Sequence, residues 1–230
     1  RGHRFSPTEI PVRANIFALK KLGVERIISI SAVGSLKKEI KPLDLLIPDQ
    51  LIDRTRHRVD TFFENGIAAH VAFSDPYCPV LRREIEKASV GQSNQTHIGG
   101  TYVVMEGPQF STRAESELYR SWGASVIGMT ALPEAKLARE AQICYATLAL
   151  VTDYDCWHEA EEEVSVDLVV ANMQKNVAVS QEILKIIIPS IPNHRSCICS
   201  TALANAIITD LEQVPVETRQ RLSVITGDPE

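Results

Sequence analysis

The chain has 230 residues, enough for one large domain or two small ones with a substantial core. Hydrophobic residues make up 44% and charged residues 23%, which excludes disordered and fibrous classes. The net charge of -5 lacks the basic footprint of a nucleic-acid binder, and no apolar run reaches the roughly 18 residues that span a bilayer, so neither nucleic acid nor membrane is an expected partner. Five cysteines, an odd number set mostly in apolar surroundings, read as reduced thiols of a cytoplasmic protein. No signal-like apolar stretch follows Arg1.

Gly and Pro punctuate the chain, and the periodicity between them gives its elements. Pro11 suits a helix start and Gly23 its end, which predicts a helix over 11–22. An Ile-rich strand follows over 25–31 and ends in a small-residue turn, Ala32-Val33-Gly34-Ser35. Short apolar strands are expected at 45–47 and 68–73, with an amphipathic helix over 81–88. From residue 101 strands and helices alternate: strand 102–105, helix 112–122, strand 125–129, helix 133–141 and strand 143–152. Helical spacing of Val166, Val169, Val170, Met173, Val177, Leu184 and Ile187 marks a long helix over 164–188, and a last helix is placed at 201–211. The acidic stretch 159–163 reads as a solvated loop. This pattern predicts one α/β domain with a central mixed sheet flanked by helices.

Ligands of open α/β sheets gather at the carboxyl ends of strands, and four segments lie at such ends. Ser31-Ala32-Val33-Gly34 offers a hydroxyl and backbone N–H groups to an anion. Glu106-Gly107-Pro108-Gln109-Phe110-Ser111 places an aromatic ring beside a hydroxyl, which suits a flat ligand but reads equally as a helix cap with Ser111 as N-cap. Met129-Thr130 closes a third strand. Asp153-Tyr154-Asp155, flanked by Thr152, Cys156 and Trp157, delivers two carboxylates at the end of the longest apolar strand. All four at strand ends would share one sheet edge. No His or carboxylate cluster has metal-ligand spacing, and the Gly-x-Gly-x-x-Gly and Walker patterns of nucleotide cofactors are absent, so no metal or cofactor is expected.

Together, Ser31 to Leu36, Glu106 to Arg113, Met129-Thr130 with Pro133-Glu134, and Thr152 to Trp157 resemble the trimeric purine nucleoside phosphorylase family, over essentially the whole chain. Within it the chain looks most like the members that act on S-methyl-5′-thioadenosine. The resemblance implies phosphorolysis: inorganic phosphate, a co-substrate, attacks C1′ and releases adenine and 5-methylthioribose 1-phosphate. It implies that Ser31, the N–H of Ala32 and Thr130 hold phosphate, that Met129 packs under the ribose, and that Phe110 lies against sugar and base. Asp153 and Asp155, with Thr152 and Ser111, would face the purine. Val166 and Val169 would line the methylthio pocket, and His70 would cover it from a neighbouring subunit of a homotrimer, with a dimer of trimers also compatible. Asp153 would be the acid at N7, its pKa raised by burial. Ser111 and Asp153 stand where relatives using 6-oxopurines have glutamate and asparagine, and both exchanges favour a 6-aminopurine. The family carries a Gly-rich phosphate loop on a first strand, and an Arg-His pair, ahead of the position matching Arg1. The expectation for 1–230 is therefore a nucleoside phosphorylase domain without that amino-terminal strand and loop.

Two rival functions remain at this stage: a phosphorylase of broader or 6-oxopurine specificity, and a catalytically inactive purine-binding protein. Cys197-Ile198-Cys199 admits a strained disulfide, a metal site or two plain thiols, and some heat-stable relatives carry such a pair as a disulfide.

Overall fold

A computed structural model describes residues 3–92, 94–158 and 166–227, the side chains of residues 166 and 168 aside. Its elements are α1 (Val12–Lys21), β1 (Arg26–Ser35), β2 (Leu45–Ile47), β3 (Gln50–Arg54), α2 (Pro79–Ser89), β4 (Thr96–Ile98), β5 (Thr101–Met105), α3 (Arg113–Ser121), β6 (Val126–Gly128), α4 (Ala131–Glu140), β7 (Cys144–Asp153), α5 (Val166–Ser190) and α6 (Val216–Thr226). The strands form one mixed sheet of order β3-β5-β6-β1-β7-β2-β4.

The centre of the sheet is the parallel pair β1–β7, in register from Arg26↔Cys144 to Val33↔Val151. All ten residues of β7 are buried, which explains a nearly unbroken apolar run: a strand covered on both faces has no wet side to mark with polar residues. Its side chains nonetheless alternate. Tyr145, Ala149 and Val151 join the cluster built with Ile16 of α1, Leu137 of α4 and Leu222 of α6. Cys144, Ala146, Leu148 and Leu150 join the opposite cluster, with Leu81 and Ile85 of α2 and Ile183 and Ile187 of α5. The result is a sheet between two helical layers, with α3 closing a third apolar cluster around Val103, Tyr119 and Ile127. Among the described residues no helix is long and apolar enough to cross a membrane.

Several expectations need correction. Residues 32–35 are not a turn: β1 runs through them to Ser35, with a register shift at Val33/Gly34. Residues 68–73 form no strand, only a single bridge between Ala69 and Ile207. The helix expected at 201–211 is absent because Asn205 adopts a left-handed φ of 61°, which an α-helix does not admit. The last helix is α6, opened by Pro215. Strands β3 and β4 went unread because they are short, lie at the two sheet edges and are only partly buried, so they lack an apolar signature. The acidic stretch 159–163 and the helix start at 164 lie outside the described residues.

Candidate active site

The sheet is mixed, and that decides where the four predicted segments meet. Strands β5 and β6 run parallel to each other but antiparallel to β1 and β7, so their carboxyl ends do not share one sheet edge. Instead β6 pairs with β1 only at Gly34 and Ser35, and the chain leaving β6 passes beside the middle of β1. Residues 31–33 of β1 therefore present their edge to Thr130 rather than to a strand. There the Ser31 hydroxyl, buried, lies 3.0 Å from the Thr130 Oγ1 and 3.1 Å from the Tyr102 hydroxyl. Thr130 occupies the N-cap position of α4, but its hydroxyl makes no cap bond and is exposed, available to a ligand as well as to Ser31. Burial raises the pKa of Tyr102, which stays neutral.

The carboxylates come from the carboxyl end of the same pair, three residues beyond Ser31. Gly34 is opposite Asp153 in the β1–β7 register, and a Cβ on Gly34 would stand 2.9 Å from Asp153 Oδ1 and 3.4 Å from Asp155 Cβ. Glycine is required here by close approach. The Thr152 hydroxyl donates to Asp153 Oδ2 at 2.7 Å. Asp153 and Asp155 are both buried, at 5% and 6% exposure, and Asp155 Oδ2 has no hydrogen-bond partner among the described residues. Burial raises the Asp155 pKa above 3.8; the Ser116 hydroxyl, the Cys156 N–H and the Ser111 hydroxyl offset it only in part. Helix α5 fixes this end of β7, because Asn172 and Asn176 donate to the carbonyls of Thr152 and Val151 at 2.7 and 3.0 Å.

The loop after β5 closes the third side. Gly107, at φ 67°, lies so near Met129 that any side chain would collide with the Met129 sulfur. Ser111 reaches the carboxylate side, since Cys156 Sγ donates to its carbonyl at 3.2 Å. Thr112, not Ser111, is the N-cap of α3, and it forms the capping box with Glu115. Phe110, 46% exposed, and Ser111 line a cleft of about 400 Å³ with Arg54, Arg56, His57 and Glu106, a volume suited to a small ligand.

One side chain knits these pieces together. The Arg58 guanidinium, its side chain 3% exposed, donates to the carbonyls of Met129, Leu132, Met105 and Glu106 and pairs with the Glu106 carboxylate at 3.4 Å. Five donors in a fixed fork suit an anchor of several carbonyls, which lysine could not duplicate. Burial alone would raise Glu106, but hydrogen bonds from Thr8 and from the N–H groups of Arg56 and His57 hold its pKa low.

Of the predicted residues, Ser31, Ala32, Thr130, Met129, Phe110, Ser111, Thr152, Asp153 and Asp155 fall on this junction of β1, β5, β6 and β7. Val169 is half-buried on the first turn of α5, and the side chain of Val166 lies outside the described residues. His70 is exposed, its backbone N–H bonded to the Ala206 carbonyl, and no hydrogen bond or ring contact among the described residues joins it to the junction. Sequence reasoning missed Tyr102 and Arg58. Tyr102 reads as one more buried strand residue, and Arg58 as one more basic residue of an Arg-rich loop.

The sequence profile of the phosphorylase superfamily matches residues 2–189. The S-methyl-5′-thioadenosine phosphorylase of Geobacter sulfurreducens is 55% identical over 228 residues, 99% of this chain and 80% of that protein. That of Koribacter versatilis is 55% identical over 227 residues, covering 99% and 78%. Among solved structures, a methylthioadenosine phosphorylase from an antarctic soil metagenomic library superposes with a TM-score of 0.90 at 51% identity, over 98% of this chain and 80% of that one. Methylthioadenosine phosphorylase from Schistosoma mansoni in complex with adenine gives 0.80 at 30% identity, over 100% and 80%.

Proposed function

The chain belongs to the phosphorylase superfamily, and from that membership we propose that it is a pentosyltransferase that cleaves S-methyl-5′-thioadenosine with inorganic phosphate. The products are adenine and 5-methylthioribose 1-phosphate. The observation that carries the reading is the junction itself: hydroxyls of Ser31 and Thr130 at one end, carboxylates of Asp153 and Asp155 at the other.

Phosphate binds between Ser31, the Ala32 backbone and Thr130, where hydroxyl and N–H donors meet its oxygens. Met129 packs beneath the ribose and holds C1′ over the nucleophile, and Phe110 covers the base. As the glycosidic bond breaks, the ribose gains oxocarbenium character and the purine gains negative charge. Asp153 donates a proton to N7, and Thr152, hydrogen-bonded to that carboxyl, fixes its orientation. Asp155, through a carboxyl oxygen that accepts, and Ser111 suit a 6-amino group, a donor, rather than a 6-oxo group. Val166 and Val169 line the space for the methylthio group. His70, exposed on this subunit, closes that space on a neighbour within a homotrimer. The enzyme works in the cytoplasm without metal or organic cofactor in the reaction.

The test is adenine release from methylthioadenosine, with and without phosphate. Phosphate-dependent release with 5-methylthioribose 1-phosphate as co-product is the expected result. Release of free methylthioribose without phosphate would make the protein a hydrolase. No release, with calorimetric purine binding indifferent to phosphate, would make it a binding protein.

A further inference from the structure

At the opposite end of β7 lies a group of side chains that phosphorolysis does not use. The Sγ atoms of Cys78, Cys144, Cys197 and Cys199 all lie within 4.8 Å of one another, with Cys144 and Cys197 at 3.3 Å. Three are fully buried and Cys197 is half-buried. They come from three parts of the chain: Cys78 caps the amino terminus of α2, Cys144 opens β7, and Cys197 precedes and Cys199 lies within a short 3-10 turn. We infer that these four cysteines together bind one thiolate-seeking divalent metal ion of the zinc class in a closed, structural site.

Three physical features carry the inference. The first is geometry. Metal–sulfur bonds of about 2.3 Å in a tetrahedron put the sulfurs about 3.8 Å apart. The 3.3 Å separation and the 4.8 Å limit bracket that edge, so closing around an ion moves each sulfur pair by about 1 Å or less. The second is space. A cavity of about 10 Å³ opens beside the cluster, lined by Cys78, Cys144 and Cys197 though not by Cys199, so the sulfurs have slack on one side to move around an ion. The third is charge. Binding forms four metal–sulfur bonds and releases the thiol protons to solvent, which leaves four thiolates around a dication. Arg26 and Arg195 line the same cavity, each paired with Glu25, beside Glu84. Cys78 already accepts the Leu81 N–H at 3.5 Å at the start of α2, a backbone donor placed to stabilise a thiolate there.

The site would fasten the segment around 197–199 to α2 and β7. Cys144 and Asp153 are the first and last residues of one strand, about 30 Å apart at the usual rise per residue, so the metal takes no part in the chemistry.

The experiment measures metal content of the untagged protein, expressed with zinc and dialysed against metal-free buffer. The expected result is one zinc per chain, falling to near zero in Cys197→Ser and unchanged in Cys156→Ser. Cobalt exchange should give the charge-transfer and d–d bands of a tetrahedral thiolate site, and a strong chelator should lower the Tm by roughly 5 °C or more. Cys197 is only half-buried, so the serine variant should fold; the cobalt spectrum of the unaltered protein tests the site even if it does not. Metal-free protein, whether its four thiols titrate freely or its mass under denaturing conditions shows disulfides, would overturn the inference. Zinc retained by Cys197→Ser would overturn it as well.

Discussion

At its first residue β7 delivers Cys144 into an apolar wall shared with Cys78 and Cys199, whereas at its last it delivers Thr152 and Asp153 into a polar junction where four segments meet. Both ends are buried. What differs is the cover. Helices α2 and α5 close the first end with aliphatic side chains and four sulfurs. At the other end, Asn172 and Asn176 of α5 bond the strand's carbonyls, and Gly34 of β1 offers no side chain. Burial is thus used twice, once to hold the layers together and once to raise the pKa of Asp155.

Substitutions at the two ends should separate these uses. The largest effect is expected at Asp153→Asn, which removes the proton donor without changing shape: kcat/KM for methylthioadenosine should fall about 10²- to 10⁴-fold with the Tm nearly unchanged. A fall smaller than tenfold in steady-state assays would remove Asp153 from the acid's role. The mirror case is Leu148→Ala, in the middle of β7 and facing α2 and α5, which should lower unfolding free energy by about 2–5 kcal/mol in urea while leaving kcat near its normal value. Loss of kcat at temperatures where the variant is folded would mean that the two regions are coupled.

Gly34→Ala sharpens the comparison, because its methyl group would press on Asp153 Oδ1 from 2.9 Å. A cost of about 1–3 kcal/mol is expected, together with a kcat loss that the same change at a solvent-exposed strand position would not give. The smallest effect is a pH effect at Asp155. Its folded pKa is raised above 3.8, so the stability it contributes is fully present below 3.8 and is lost as pH rises through the folded value. Asp155→Asn, neutral at every pH, should match the unaltered protein in acid and exceed it in Tm at neutral pH. Equal Tm curves across that range would show that the carboxyl is not held neutral by burial.

The parts of the molecule legible in the sequence are those whose signal is local. The strand 143–152 declared itself by an almost unbroken apolar run, and the aspartates by standing at its end. The Gly107-Pro108 turn located the loop that carries Phe110 and Ser111. Contacts across the chain left no such mark. Ser31 and Thr130 are 99 residues apart, and their meeting depends on β6 running antiparallel to β1, an orientation that periodicity does not encode. Arg58 is buried only because four carbonyls from two distant turns converge on it. The Cys-x-Cys pair stood out only as a pair, open to a disulfide, a metal or plain thiols; that Cys78 and Cys144, each alone in an apolar stretch, join it left no mark. The misplaced last helix shows the reverse case, since 201–211 has helical spacing of apolar residues yet a left-handed Asn205 at its middle.

The measurement that most directly tests the account is a crystal structure with adenine and phosphate bound. The account predicts phosphate within hydrogen-bond distance of Ser31 Oγ and Thr130 Oγ1, and adenine with N7 facing Asp153 and its amino group toward Asp155. Adenine bound with N7 out of reach of Asp153 and its amino group away from Asp155 would contradict it.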